Sequence, residues 1–129
     1  MAITAGVINR CLEECCKSTY HFRIGAVIFN SKRIISSGHN GLRTSNNIPD
    51  KHKNFINSLH AEQAALLNVN WNKVKGCSIL VMKINKTEGS LSNAKPCPLC
   101  QKLLAHIGIR NVYYSNEMGE IVRAKLEDL

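Results

Sequence analysis

The run Arg23-Ile-Gly-Ala-Val-Ile-Phe29, followed by Asn30-Ser-Lys32 and then Arg33-Ile-Ile-Ser-Ser37, decides the fold class. Its first part is short, mostly apolar and rich in β-branched residues, which reads as a well-buried strand. The polar triplet turns the chain, and the second run returns as the other half of a hairpin. Upstream, Ile3, Val7, Ile8, Cys11, Leu12 and Cys15 recur at helical spacing, so residues 3–17 read as an amphipathic helix. Downstream, residues 38–58 hold Gly38, Gly41, Pro49 and five Asn. That composition predicts a long irregular loop, and loops of this length in small domains are often functional. Helix returns over about His60 to Asn68, with Ser58 or a neighbour as its cap. Ser78 to Ile84 reads as a third strand and Asn85 to Lys95 as a polar connection. A helix from about Cys97 carries Leu103, Leu104 and Ile107 and stops at Gly108. Val112 to Ser115 is a fourth strand, Ile121-Val122 a fifth, and Arg123 to Leu129 a helical turn or a frayed tail. The order α-β-β-α-β-α-β-β predicts an α/β protein, a three-layer α/β/α domain over residues 1–129.

The chain has 129 residues, of which 44% are hydrophobic and 20% charged, so one ordinary core is expected and disorder or a coiled-coil rod is not. Apolar runs such as Ile24 to Phe29 and Ile79 to Met82 are far too short for a membrane span. No charged region followed by a long apolar stretch opens the sequence, so a soluble, cytoplasmic domain is the expectation. The net charge of +8 is uneven, because residues 15–116 carry 14 Lys and Arg against three acids, Asp50, Glu62 and Glu88. Such a bias favours an anionic partner, a phosphorylated small molecule or a nucleic acid, unless it is only a solvated surface.

Six cysteines are spaced unlike a disulfide framework. Cys11, Cys15 and Cys16 fall in one helix, Cys77 opens a strand, and Cys97 and Cys100 form a CxxC. Reduced thiols, four packed in the interior and two acting as metal ligands, are expected. Two motifs carry the chemistry, His60-Ala-Glu62 and Pro96-Cys97-Pro-Leu-Cys100. Cysteines three apart at the start of a helix face the same side, and the helix N-terminus favours their thiolates. Pro98 is harmless in a first turn. With His60 as a third ligand, the fourth tetrahedral position is left to water, the layout of a catalytic zinc site. Glu62, two residues beyond a ligand, is placed to shuttle protons without binding the metal. The alternatives are a redox pair, or a structural site completed by Cys77, His52 or His106.

With these residues in place, the chain resembles the cytidine deaminase superfamily, particularly its deoxycytidylate deaminase branch. Beyond the metal motifs, the resemblance rests on Arg23 to Ile28, on Arg33-Ile-Ile-Ser-Ser-Gly-His-Asn-Gly41 and on Ile109-Arg-Asn-Val-Tyr-Tyr114. It implies a cytidine deaminase-like mixed sheet of about five strands. It further implies that His60, Cys97 and Cys100 bind Zn2+ and that Glu62 is the general acid and base. Asn40 would bond the sugar, the backbone of Ala61 the base edge, and Tyr114 would help wall the pocket. Arg23 is a further candidate for substrate contact, or a structural arginine. Arg43, Lys51 and Lys53 lie in the long loop, where a substrate phosphate could be held. The resemblance also implies assembly into homo-oligomers.

The function expected is zinc-dependent hydrolytic deamination of a cytosine nucleotide, dCMP or CMP. A deaminase of tRNA adenosine or single-stranded DNA cytosine is the main alternative, suited to the basic stretch but short of aromatics for stacking. A guanine deaminase and a non-catalytic zinc-stabilised module are the others.

Overall fold

The apolar run Ser78–Asn85 forms β3, the strand around which the others are arranged. A computed structural model describes residues 3–18, 22–41, 60–67, 69–85 and 89–126. In chain order these form α1 (Ala5–Lys17), β1 (Phe22–Phe29), β2 (Ile34–His39), α2 (Ala61–Leu67), β3, β4 (Leu91–Ser92), α3 (Pro98–Ile107), β5 (Asn111–Ser115) and β6 (Ile121–Lys125). A 3-10 turn over Trp71–Lys73 links α2 to β3.

The strands make one mixed sheet in the order β2-β1-β3-β5-β6, with β4 beside the far end of β3. β1 pairs antiparallel with β2 and β3, β5 runs parallel to β3, and β6 returns antiparallel to β5. The two-residue alternation of strands assigns the faces. Ala26, Ile28, Ile79, Val81 and Val112 meet Ala61, Ala65 and Leu66 of α2 and Leu104 and Ile107 of α3. Val27, Phe29, Leu80, Met82 and Tyr113 meet Val7, Cys11 and Cys15 of α1. Three layers result, as expected. No helix among the described residues is long and apolar enough to cross a membrane.

Among the described residues the sheet has six strands, one more than the approximate count of five. The additional strand, β4, lies inside the stretch that reads as a polar connection. Two residues are too few to show a period, and the strand exists because Lys83 and Ile84 offer partners to Ser92 and Leu91. Buried Ser115 fastens this excursion to the sheet. Its hydroxyl accepts from the Lys83 amide at 3.2 Å and donates to the Ser92 carbonyl at 2.6 Å, and its carbonyl takes the Ala94 amide at 2.8 Å. A second correction concerns the tail. Residues 123–125 are neither helical nor frayed, because Arg123, Ala124 and Lys125 pair with Tyr113, Val112 and Asn111. Exposed Arg123 and Lys125 suit an edge strand, where charge discourages further pairing.

Two glycines set how closely helices approach the sheet. A Cβ on Gly25 would sit 2.5 Å from the Cys11 carbonyl oxygen of α1. One on Gly38 would sit 2.5 Å from the Ala65 nitrogen of α2. Both helices therefore rest backbone to backbone on the hairpin. The α1 helix itself starts at Thr4, whose hydroxyl accepts from the Val7 amide and caps it.

Candidate metal centre and its cavity

His60 stands at the N-cap of α2, just before Ala61. Its carbonyl accepts from Ala64 at 2.9 Å, and its own amide donates to the side chain of Gln63 at 3.0 Å. This is the return half of a capping box, and it fixes the backbone from which the imidazole projects. Cys97 is the N-cap of α3, with extended backbone and no capping bond from its sulfur, and Pro98 follows in the first turn. Its carbonyl accepts from the Gln101 amide at 2.9 Å, while the Gln101 side chain donates to the Pro96 carbonyl at 2.7 Å. Two glutamines, each in the first turn of its helix, thus hold the two ligand-bearing helix starts. Neither was singled out from the sequence, although Gln63 occupies the capping-box position relative to His60.

The three ligand atoms converge. His60 Nδ1 lies 3.7 Å from Cys97 Sγ and 3.3 Å from Cys100 Sγ, and all three atoms fall within 4.8 Å of one another. Zinc bonds of ~2.3 Å to sulfur and ~2.0–2.1 Å to nitrogen give a tetrahedron with N–S edges of roughly 3.6 Å. The donor set and its spacing therefore fit Zn2+. Burial, with the neighbouring Glu62 and Cys97, pushes the Cys100 thiol up. A cation is the partner that would hold it as thiolate. Among the described residues no fourth ligand joins the group. Cys77 is buried in the core with its sulfur toward the Lys73 carbonyl at 3.6 Å, His106 is exposed on α3, and His52 lies outside the described residues.

Glu62 is 5% exposed, and burial pushes its carboxyl above the usual carboxylate range, against opposing pulls from its own backbone amide and from His60. A carboxyl so placed keeps its proton more readily than one in water. Together with His60, Ala61 and Cys97 it lines a cavity of about 350 Å³. Buried Asn40 lines it too. Its side-chain oxygen accepts from Ser18 Oγ at 2.7 Å and from the Ile24 amide at 2.9 Å, which fixes the amide orientation. Ser18, at the end of α1, also bonds the Asn40 carbonyl at 2.9 Å. Among the described residues, Lys83 and Lys95 add positive charge to the lining. A larger depression of about 490 Å³, bordered by Ala105, Arg110 and Lys125, carries none of the ligand donors.

Arg23 and Tyr114 fall elsewhere. Arg23 shares its face of β1 with Gly25, Val27 and Phe29, so the pleat turns it toward α1 and away from the cluster. Tyr114 is half-buried against the core on the cluster's side of the sheet and does not line this cavity. Arg43, Lys51 and Lys53 lie outside the described residues. Of the four cysteines expected to pack inside, Cys11, Cys15 and Cys77 are buried, whereas Cys16 is exposed on the outer side of α1.

Residues 3–116 match the family model described as the cytidine and deoxycytidylate deaminase zinc-binding region. The deoxycytidylate deaminase of Homo sapiens is 31% identical over 108 residues, covering 74% of this chain and 53% of that protein. The chain spans about half the length of the curated relatives it matches. Among solved structures, the cyanophage S-TIM5 dCMP deaminase aligns with a TM-score of 0.61 at 24% identity, over 87% of this chain and 81% of that one. The cytidine deaminase of Burkholderia pseudomallei aligns with a TM-score of 0.68 at 17% identity, over 98% and 95%. At such identities the two structures speak for the fold.

Proposed function

The chain belongs to the cytidine and deoxycytidylate deaminase family, and on that premise we propose that it deaminates a cytosine nucleotide, dCMP or CMP, by hydrolysis. The products are the uracil nucleotide and ammonia. One observation carries the reading: His60, Cys97 and Cys100 converge, and a buried carboxyl, Glu62, shares a cavity wall with two of them. Held by those three residues, Zn2+ would supply Lewis acidity that lowers the pKa of water toward ~7.

The chain's own residues account for the rest. Glu62 takes a proton from the attacking water and passes it to the ring nitrogen beside the amine-bearing carbon. The water oxygen bonds to that carbon, its remaining proton passes through the same carboxyl to the amine, and the C–N bond breaks, releasing ammonia and leaving the carbonyl. The raised pKa that burial gives Glu62 suits a group that must hold a proton between these transfers. Asn40, oriented by the bonds its oxygen accepts from Ser18 and Ile24, lines the cavity and is assigned to the sugar. The backbone of Ala61, at the first position of α2, is available to the edge of the base. Lys83 and Lys95 in the lining favour an anionic substrate over a neutral one.

A substrate panel tests the proposal. The zinc-loaded protein is given dCMP, CMP, cytidine, adenosine and guanine, and ammonia release is followed. The monophosphates should react fastest; preference for an uncharged nucleoside or free base would contradict the substrate assignment.

A further inference from the structure

The end of the sheet opposite the metal centre is cationic. Phe29, Ser78, Asn111 and Lys125 pair in one row across β1, β3, β5 and β6. At a strand spacing of ~4.8 Å the row spans roughly 14 Å. Around it the chain presents Lys32 and Arg33 in the β1–β2 turn, Lys73 and Lys75 before β3, Arg110 before β5, and Lys125 itself. All six are exposed, and no salt bridge among the described residues engages them. The described acids lie elsewhere, Glu13 and Glu14 in the C-terminal half of α1, Glu62 at the metal centre, and Glu117 and Glu120 in the β5–β6 turn. Glu127 and Asp128, outside the described residues, follow in sequence, and counting them leaves six cations against two acids. Lys83, which lines the metal-site cavity, is five residues along β3 from Ser78, roughly 16 Å away.

Backbone bonds hold this surface together. The Gly76 amide donates to the Gly108 carbonyl at 2.7 Å and the Arg110 amide to the Cys77 carbonyl at 2.8 Å, which ties the turns bearing Lys75 and Arg110. A Cβ on Gly108 would sit 2.9 Å from Lys75 Cγ, so the lysine stem lies across the second turn. Arg110 and Lys125 border the depression of about 490 Å³, whose other lining residues, Ala105, Ile109 and Leu126, are apolar. Trp71, the only tryptophan, stands 45% exposed two residues before Lys73. Its indole N–H donates to the Leu66 carbonyl at 3.1 Å, which fixes the ring and leaves part of it to solvent. An exposed aromatic ring among unpaired cations is the combination that binds a single strand of nucleic acid, because a base stacks on the ring while the cations follow the phosphates. A duplex offers the phosphates but keeps its base faces stacked. We propose that this end of the sheet is a second binding site, for single-stranded nucleic acid. It stands apart from the deaminase reading, since none of the described residues lining the metal-site cavity takes part.

The test uses the whole zinc-loaded chain and an oligodeoxythymidylate of about 10 nucleotides, within the ~4–16 that one such binding unit covers. Because Trp71 is the only tryptophan, binding at this site should quench the tryptophan emission of the protein. At ~0.7 per phosphate, contacts from Lys75, Arg110 and Lys125 give a slope of about −2 for log affinity against log salt. A fourfold rise in salt should then weaken binding roughly 20-fold. Arg110→Gln should weaken it by about 5- to 10-fold and flatten the slope by ~0.7. Arg10→Gln, an equal loss of charge on α1, should weaken it by less than about twofold. Trp71→Leu should weaken binding by about 5- to 100-fold, whereas Trp71→Phe, which loses the bond to Leu66 but keeps a ring, should retain most of it. Saturating dUMP should leave the oligonucleotide bound. No binding at low salt, binding without quenching, or equal losses in the two arginine variants would overturn the site. So would displacement by dUMP, which would place the strand in the metal-site cavity. Binding of a duplex at equal affinity and without quenching would overturn the single-strand assignment. None of these measurements depends on ammonia release, so the site and the deaminase reading fail separately.

Discussion

Replacing Gly38 by Ala probes how the hairpin positions the metal centre. The new Cβ would lie 2.5 Å from the Ala65 nitrogen and 2.7 Å from both the carbonyl carbon and the Cβ of Ala64, where ordinary contacts are 3.4–4 Å. All three atoms belong to the body of α2 and cannot swing aside, so the helix must retreat by roughly 1 Å. Overpacking of this kind costs about 1–3 kcal/mol, or a fall in Tm of roughly 4–15 °C for a domain of this size. The same helix begins with His60, Ala61 and Glu62. Metal ligation tolerates errors of only ~0.2 Å, so a displaced imidazole should weaken zinc binding by about 10- to 100-fold. Two parallel changes separate packing from positioning. Gly25→Ala meets the backbone of α1 at 2.5 Å, on the face without ligands, and should lower Tm comparably while sparing zinc. Gly41→Ala meets nothing within 4 Å and should change stability by less than about 0.5 kcal/mol. Zinc affinity is read by chelator competition, and Tm on both metal-free and metal-saturated protein, because bound metal itself raises Tm. If Gly38→Ala loses stability but keeps wild-type zinc affinity, the seating of α2 on the hairpin is not what places His60, and the reasoning fails.

Other predictions concern groups around the cavity and on α1. Ser18→Ala removes both hydroxyl bonds to Asn40 and should raise KM for a deoxynucleotide by about 5- to 50-fold with a smaller effect on kcat, while Ser18→Thr restores it; equal kinetics in Ser18→Ala would show that Asn40 needs no such support. Gln63→Ala deletes the bond to the His60 amide and should lower Tm by several degrees and zinc affinity by about tenfold, whereas an unchanged affinity would leave the glutamine a capping role alone. Thiol labelling of native zinc-loaded protein should modify exposed Cys16 rapidly and Cys11, Cys15 and Cys77 slowly, and chelation should add half-buried Cys97 to the fast group. Fast labelling of Cys97 in the zinc-loaded protein would argue against its ligation.

The parts of this architecture that depend on local pattern are legible in the sequence. Val27 and Phe29 alternate with Ala26 and Ile28 to face different helices, and Gly108 ends α3 in a left-handed conformation with φ of 99°. The metal cluster is legible for the same reason, since both halves of it sit at helix starts that local signals mark. Legibility ends where a feature is made by pairing between distant segments. β4 owes its existence to the end of β3, and β6 continues past Val122 because β5 supplies a partner for each residue. Ser18 carries no local mark of its bond to Asn40, 22 residues away. Arg23 is different, because the pleat that removes it from the cluster could have been counted from Ile24. The same count along β3 puts Lys83 on the cavity side with Val81.

The central claim is that Glu62 moves protons in a zinc-dependent hydrolytic deamination. Glu62→Gln preserves the volume of a buried side chain and removes its titration, so fold and metal content should persist. Ammonia release from dCMP by the zinc-loaded variant is the decisive measurement. The account predicts a fall of about 10²- to 10⁴-fold or more in kcat at wild-type zinc content; release at the wild-type rate would contradict it.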